Sequence, residues 1–306
     1  TTAKVVGLLA LIGLGLFVAR SAEAQAANFD NFWAETSLSL GFLMLVGGAM
    51  VGPLFSSDAW NNITFTSSEV KNPQRTLPLS LLGGTGAVMA LYLLINLAYL
   101  YMLPMVGVAD GTTVVARGIQ HAAEDRVATA AASVVFGSSA ASIMAVAIMV
   151  STFGCLNGLI LSGPRLYYAM ARDRLFFART GVLNAGGVPA GGLWLQTVWA
   201  SVLTLSGTYG NLLDYVVFAA LLFYVLTVIG LFILRRTQPE AERPYRVHGY
   251  PWVPGLYVVT ASVIMVDLLF VKPAYTWPGL LIVLTGVPVY LLWQRRAAVV
   301  PITSQG

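Results

Sequence analysis

Ser56, Ser57 and Asp58, followed by Trp60, Asn61 and Asn62, interrupt an otherwise apolar, glycine-rich run. A carboxylate flanked by hydroxyls and amides can hold a cationic group, because the carboxylate supplies charge and its neighbours supply hydrogen bonds. At membrane depth such a cluster is costly unless it lines a cavity or is buried in protein. Residues 52–79, GPLFSSDAWNNITFTSSEVKNPQRTLPL, therefore read as a broken helix. One arm arrives from Leu38 and stops at Ser56-Ser57-Asp58; a second restarts near Trp60 and runs out at Lys71. Carbonyls at such a break lose their intrahelical donors and carry the partial negative charge of a helix C-terminus. Broken helices of this kind build the midplane substrate sites of secondary transporters. The plainer account is a kink made by Gly52-Pro53 against neighbouring helices, but a proline alone does not call for a carboxylate.

The elements that must position this cluster are membrane helices. The 306-residue chain is 57% hydrophobic and 10% charged, with mean hydropathy +0.77, whereas a soluble domain carries about 25% charged residues. Lipid is thus the solvent for most of the surface. The net charge of +4 matters less than its placement. The single cysteine, Cys155, allows no internal disulfide and no cysteine metal cluster, and the two histidines, His121 and His248, lie in polar connections. Phosphate loops, HExxH and nucleophile elbows are absent. Composition and motifs point to neither an enzyme nor a nucleic-acid binder, and no metal or cofactor is expected.

Apolar segments of spanning length, roughly 17–25 residues, fall at 3–19, 38–55 with a continuation to 70, 77–103, 130–170, 193–205 (short, but extendable to 191–209), 212–234, 252–271 and 277–293. They predict an all-α polytopic membrane protein with about eight crossings, the broken one counted once. If the first crossing ends outside, one side receives Lys71, Arg75, Arg165, Arg172, Arg174, Arg179, Arg235, Arg236, Arg243, Arg246, Arg295 and Arg296. The other receives Arg20, Arg117, Arg126 and Lys272. The positive-inside rule makes the first side cytoplasmic. Glu35, Asp214 and Asp267 then lie near outer segment ends. Lys4, the apolar run after it and SAEAQA also fit a secretory signal peptide, which would put Ser21 outside just as a first crossing does. Residues 104–126 form an outer loop with a weak helical pattern, and 235–254 a charged, proline-rich cytoplasmic connector.

Four stretches resemble the amino acid–polyamine–organocation superfamily and, within it, the L-type amino acid transporters. TTAKVVGLLA at 1–10 resembles the fifth helix of that family, and LFSSDAWNNITFTSSEVKNPQRTLPLS its broken sixth helix with the following turn. STFGCLNGLILSGPRLYYAMARD at 151–173 resembles the eighth, and RRTQPEAERPYRVHGYPWVPGLYV the link from tenth to eleventh. The resemblance implies a LeuT-type fold of two inverted five-helix repeats, here partial, with four further helices expected ahead of Thr1. Residues 1–306 would form a single membrane domain: 1–20 as the last helix of the first repeat, 38–235 as the second repeat, and 252–294 as two C-terminal helices. It also implies a multi-pass protein of the plasma or inner membrane that moves L-amino acids by alternating access.

The resemblance further implies roles for individual residues. Carbonyls at Ser56, Ser57 and Asp58 would accept hydrogen bonds from the substrate α-ammonium. Phe55 would be an aromatic gate over the substrate, and Trp60 and Asn61 would flank the pocket. Lys4 would occupy the place of a sodium ion, with Ser151 and Thr152 as its hydroxyl partners. The residues themselves leave alternatives open. Asp58 can favour a cationic side chain, pair with a cation elsewhere in the protein, or sit buried as a neutral acid. Phe55 can be ordinary packing, Asn61 a brace for the restarted helix, Lys4 a lysine snorkelling to the interface, and Ser151 and Thr152 hydroxyls bonded to their own helix. The expected partners are an amino acid substrate and the bilayer; the sequence names no protein partner. Transport of polyamines or other cationic amines, or a sensor or assembly subunit on a transporter scaffold, are the rival functions.

Overall fold

The computed structural model describes residues 2–30, 39–206, 209–243 and 245–298. Among these every regular element is helical. Glu35 and Thr1 lie outside the described residues. The apolar segments become α1 (Thr2–Gly13, continued by a π-helical turn Leu14–Val18), α2 (Ala22–Phe29), α3 (Leu40–Ala49), α4 (Val51–Ser56), α5 (Asn62–Phe65) and α6 (Pro73–Met102). They continue as α7 (Val114–Arg117), α8 (Val127–Phe136), α9 (Ala140–Arg172), α10 (Ala190–Ser206), α11 (Tyr209–Thr237), α12 (Trp252–Val271) and α13 (Pro273–Ala298).

By length and composition, Pro73–Met102, Val127–Arg172, Val216–Thr237 and Trp252–Val271 can each cross a bilayer. Thr2–Val18 with Ala22–Phe29, bent by 93°, adds a fifth span if the pair is counted as one, and Leu40–Ser56 and Thr276–Leu291 are apolar but shorter. Little of this apolar surface is hidden: 11% of the most apolar window of α6 is buried and none of that in the α8–α9 segment. Leu82, Leu93 and Phe153 are more than 70% exposed. Such exposure of large apolar side chains is tenable only against lipid or against further apolar protein. The apolar segment expected at 130–170 is a jointed rod, because Gly137 at φ 56° ends α8 and a single 3₁₀ turn, Gly137–Ser139, leads into α9.

The chain divides into two compact units. One comprises residues 1–37 and 79–159. Its core joins Leu11 and Ile12 of α1 to Ile95 of α6, Ala132 of α8 and Ala140 of α9. Gly15 lets the π-helical turn lie on α6: a Cβ there would come within 2.7 Å of Met102 Sδ and 2.8 Å of Ala98 Cβ. The Ser21 hydroxyl caps α2 through the Ala24 N–H, and the Ser21 N–H reaches the carbonyl of Tyr101 at 2.9 Å. Buried Asn28 completes the α6 terminus: its amide donates to the carbonyls of Leu100 (2.7 Å) and Leu103 (2.9 Å) and accepts from the Met105 N–H (2.7 Å). It thus supplies donors to carbonyls that a helix end leaves unpaired. Residues 2–30 pack within this unit.

The second unit comprises residues 38–78 and 160–306. Val217, Leu221 and Val225 of α11 meet Ala261, Ile264 and Leu268 of α12, with Val51 of α4 against them. Thr276, 2% exposed, ties α13 to the end of α12 by donating to the carbonyls of Leu268 (3.0 Å) and Lys272 (2.8 Å). Arg235 and Arg236 occupy the last turn of α11, where a cation complements the helix dipole.

Candidate functional site

The helix that begins at Leu40 is interrupted where the polar cluster falls. α4 ends at Ser56, residues 57–61 form a turn, and α5 restarts at Asn62, two residues later than the sequence indicates. Proline at 53 removes one N–H from the ladder, and Ala59 takes the left-handed conformation at φ 63°. The turn closes through the Asp58 N–H to the Phe55 carbonyl (3.1 Å) and the Asn62 N–H to the Ala59 carbonyl (3.1 Å). Among the described residues no backbone N–H donates to the carbonyls of Ser57 and Asp58. The hydroxyls of Ser56 and Ser57 point back along α4, to the carbonyls of Gly52 and Pro53, each at 2.9 Å.

One residue outside the cluster gathers it together. The hydroxyl of Tyr224, on α11, donates to the carboxylate of Asp58. It also lies 3.5 Å from Oδ1 of Asn61, and its ring centroid is 5.7 Å from that of Trp60. Tyr257 of α12 is within electrostatic range of Asp58. Asp58 is half-buried and makes no ion pair among the described residues. Phe55 is partly buried against the core of the second unit. Sequence reasoning overlooked Tyr224. The available signal was its place mid-way along an apolar segment, since tyrosines in membrane helices concentrate at the interfaces.

Lys4 lies against α9 in the first unit, where a Cβ at Gly154 would come within 3.5 Å of its Cε and 3.9 Å of its Nζ. No hydrogen bond joins it to Ser151 or Thr152; the Thr152 hydroxyl donates to its own helix, to Ile148 (2.9 Å) and Met149 (3.1 Å). At the other end of the break, Glu69 pairs with Arg165 of α9. No grouping of His, Cys, Asp and Glu among the described residues is arranged to hold a metal ion.

The arrangement is thus a polar break in an apolar helix, bridged by a hydrogen bond from a neighbouring helix. The sequence model of one protein family, described as amino acid permease, matches residues 1–291. The chain belongs to the amino acid permease family. The permease is 30% identical over 301 residues to the serine/threonine exchanger SteT of Bacillus subtilis (strain 168), covering 97% of this chain and 64% of that protein. It is 29% identical over 301 residues to the b(0,+)-type amino acid transporter 1 of Homo sapiens, covering 96% and 56%. To the Asc-type amino acid transporter 1 of Mus musculus it is 26% identical over 309 residues, covering 97% and 53%. The chain therefore spans less than two thirds of each of these relatives. Family and helices together make the permease a multi-pass protein of the cell membrane, and the family is one of transporters rather than enzymes.

Proposed function

We propose that the full-length permease carries L-amino acids across the cell membrane by alternating access, through sodium-independent exchange or proton-coupled uptake. Residues 1–306 form a single membrane domain in this reading. Phe55, Ser56, Ser57, Asp58, Trp60 and Asn61, joined by Tyr224, form one wall of the substrate site. The observation that carries the reading is Asp58: a carboxylate inside a helix break, hydrogen-bonded by a phenol and paired with no cation among the described residues. A phenol supplies a hydrogen bond but no charge, so the carboxylate retains an unmet demand for a cation. The α-ammonium of an amino acid meets that demand, and the carbonyls of Ser57 and Asp58 offer it further acceptors. The names of the relatives, exchangers and transporters of amino acids, support the same reading. Lys4, with no hydrogen bond or ion pair among the described residues, supplies the fixed charge in place of a coupling cation in this reading, with Ser151 and Thr152 of the facing helix α9 as its expected hydroxyl partners.

The test is uptake of labelled serine, leucine and arginine by full-length permease in liposomes. Asp58→Ala should raise KM by roughly tenfold to a hundredfold, the worth of one charge-assisted hydrogen bond. Unchanged KM and unchanged substrate preference would remove Asp58 from the site. Accelerated efflux on adding external amino acid identifies exchange; a dependence on an imposed proton gradient identifies coupling. The same unpaired carboxylate favours a second reading, in which the cargo is a polyamine or another cationic amine. Putrescine that displaces labelled leucine poorly counts against it.

A further inference from the structure

A cavity of about 730 Å³ opens in the second unit just beyond the apolar span Val216–Thr237, on the face that the arginine count makes cytoplasmic. Its walls carry both signs of charge: Arg235, Arg243 and Arg246 with Glu240 and Glu242. Opposite charges around one space normally pair, yet none of these five makes an ion pair among the described residues. Two of the arginines make defined contacts within the second unit. The Arg235 guanidinium carbon lies 3.8 Å over the centre of the Tyr250 ring, and its buried Nε has no hydrogen-bond partner among the described residues. Tyr250 is in turn backed by Phe232, with ring centroids 5.4 Å apart. Arg243 folds the connector around itself by donating to the carbonyls of Gln238 (2.5 Å), Pro239 (2.7 Å) and Ala241 (2.9 Å). Arg235 and Arg243 are half-buried in the wall, whereas Arg246, Glu240 and Glu242 are exposed at the rim.

A half-buried guanidinium that makes no ion pair among the described residues, at the level where an apolar span meets water, suits an anionic oxygen of a lipid. Rim carboxylates beside it oppose a headgroup with extra negative charge and favour one that carries an ammonium. We propose that this cavity binds the headgroup of a cytoplasmic-leaflet phospholipid bearing a phosphodiester and a primary ammonium. The phosphodiester faces Arg235, with Arg246 beside it, and the ammonium faces Glu240 and Glu242.

The experiment is native mass spectrometry of full-length permease from mixed nanodiscs containing phosphatidylethanolamine, phosphatidylglycerol and phosphatidylcholine in equal amounts. The wild type should retain phosphatidylethanolamine over both others. Arg235→Gln and Arg246→Gln should each weaken that retention about fivefold, the usual worth of one arginine near a lipid surface. The double variant Glu240→Gln/Glu242→Gln should shift the preference to phosphatidylglycerol. Equal retention of the three lipids by the wild type overturns the proposal, as does a preference for phosphatidylglycerol in the wild type. If Arg235→Gln fails to fold, the exposed positions 240, 242 and 246 decide: a lipid preference that none of their substitutions alters overturns the proposal equally.

Discussion

Tyr224 and Asn28 illustrate how single polar side chains act when lipid surrounds the fold. Tyr224 donates a hydrogen bond to Asp58 while its ring rests against Trp60. Tyr224→Phe keeps the ring and drops the hydroxyl, so the thermal stability of the permease should change little while KM for amino acids rises by roughly fivefold to tenfold. Equal KM values for wild type and Tyr224→Phe, measured in liposomes, would exclude the hydroxyl from the site. Asn28 has a different task, since its amide satisfies two carbonyls at the end of α6 and one N–H beyond it. Asn28→Ala leaves these groups buried without partners and should cost about 3 kcal/mol of stability. A melting temperature equal to that of the wild type would show that water replaces the amide there.

Among the elements, the break at residues 57–61 is set by the backbone as much as by the serines and the aspartate. Ala59 holds φ 63°, a conformation that costs an L-residue roughly 1–2 kcal/mol and that β-branched residues adopt least readily. Ala59→Gly should therefore stabilise the permease by about 0.5–1 kcal/mol. Ala59→Val should lower the melting temperature and reduce uptake together, because it pushes the turn toward helix or extended chain. Destabilisation by glycine at this position would show that the left-handed turn does not persist in the membrane. Gly137 plays a comparable part between α8 and α9, where its φ of 56° joints a segment that hydropathy alone presents as continuous.

For the whole molecule, the testable quantity is orientation. In a Cys155→Ala background, a cysteine placed at Arg75 or Arg172 should react with a membrane-impermeant maleimide only from the cytoplasmic side. A cysteine at Arg117 should react only from outside. The reverse pattern would invert the topology and move the cavity at Arg235 to the outer face. The two compact units cut across the chain, with residues 38–78 joining the C-terminal half. As a result Asp58 packs with Tyr224, 166 positions away.

The amino-acid sequence by itself determined the helical class, the presence of several apolar helices able to cross a bilayer and the site of the break. All of these follow from local hydropathy, the arginine distribution and the cost of placing a carboxylate in an apolar run. The likeness of four stretches to one family added its class, and the match over residues 1–291 agrees with it. Only the tertiary structure decided what Asp58 touches, how Asn28 closes α6, and that the Thr152 hydroxyl turns to its own helix rather than to Lys4. The physical reason is that a polar group in lipid must find a partner, and the chain does not state which distant helix face will supply it. Hydropathy is a sum over neighbours in sequence; hydrogen bonds and ring contacts such as those of Tyr224 depend on which faces of α11 and α12 pack and which remain turned to the break.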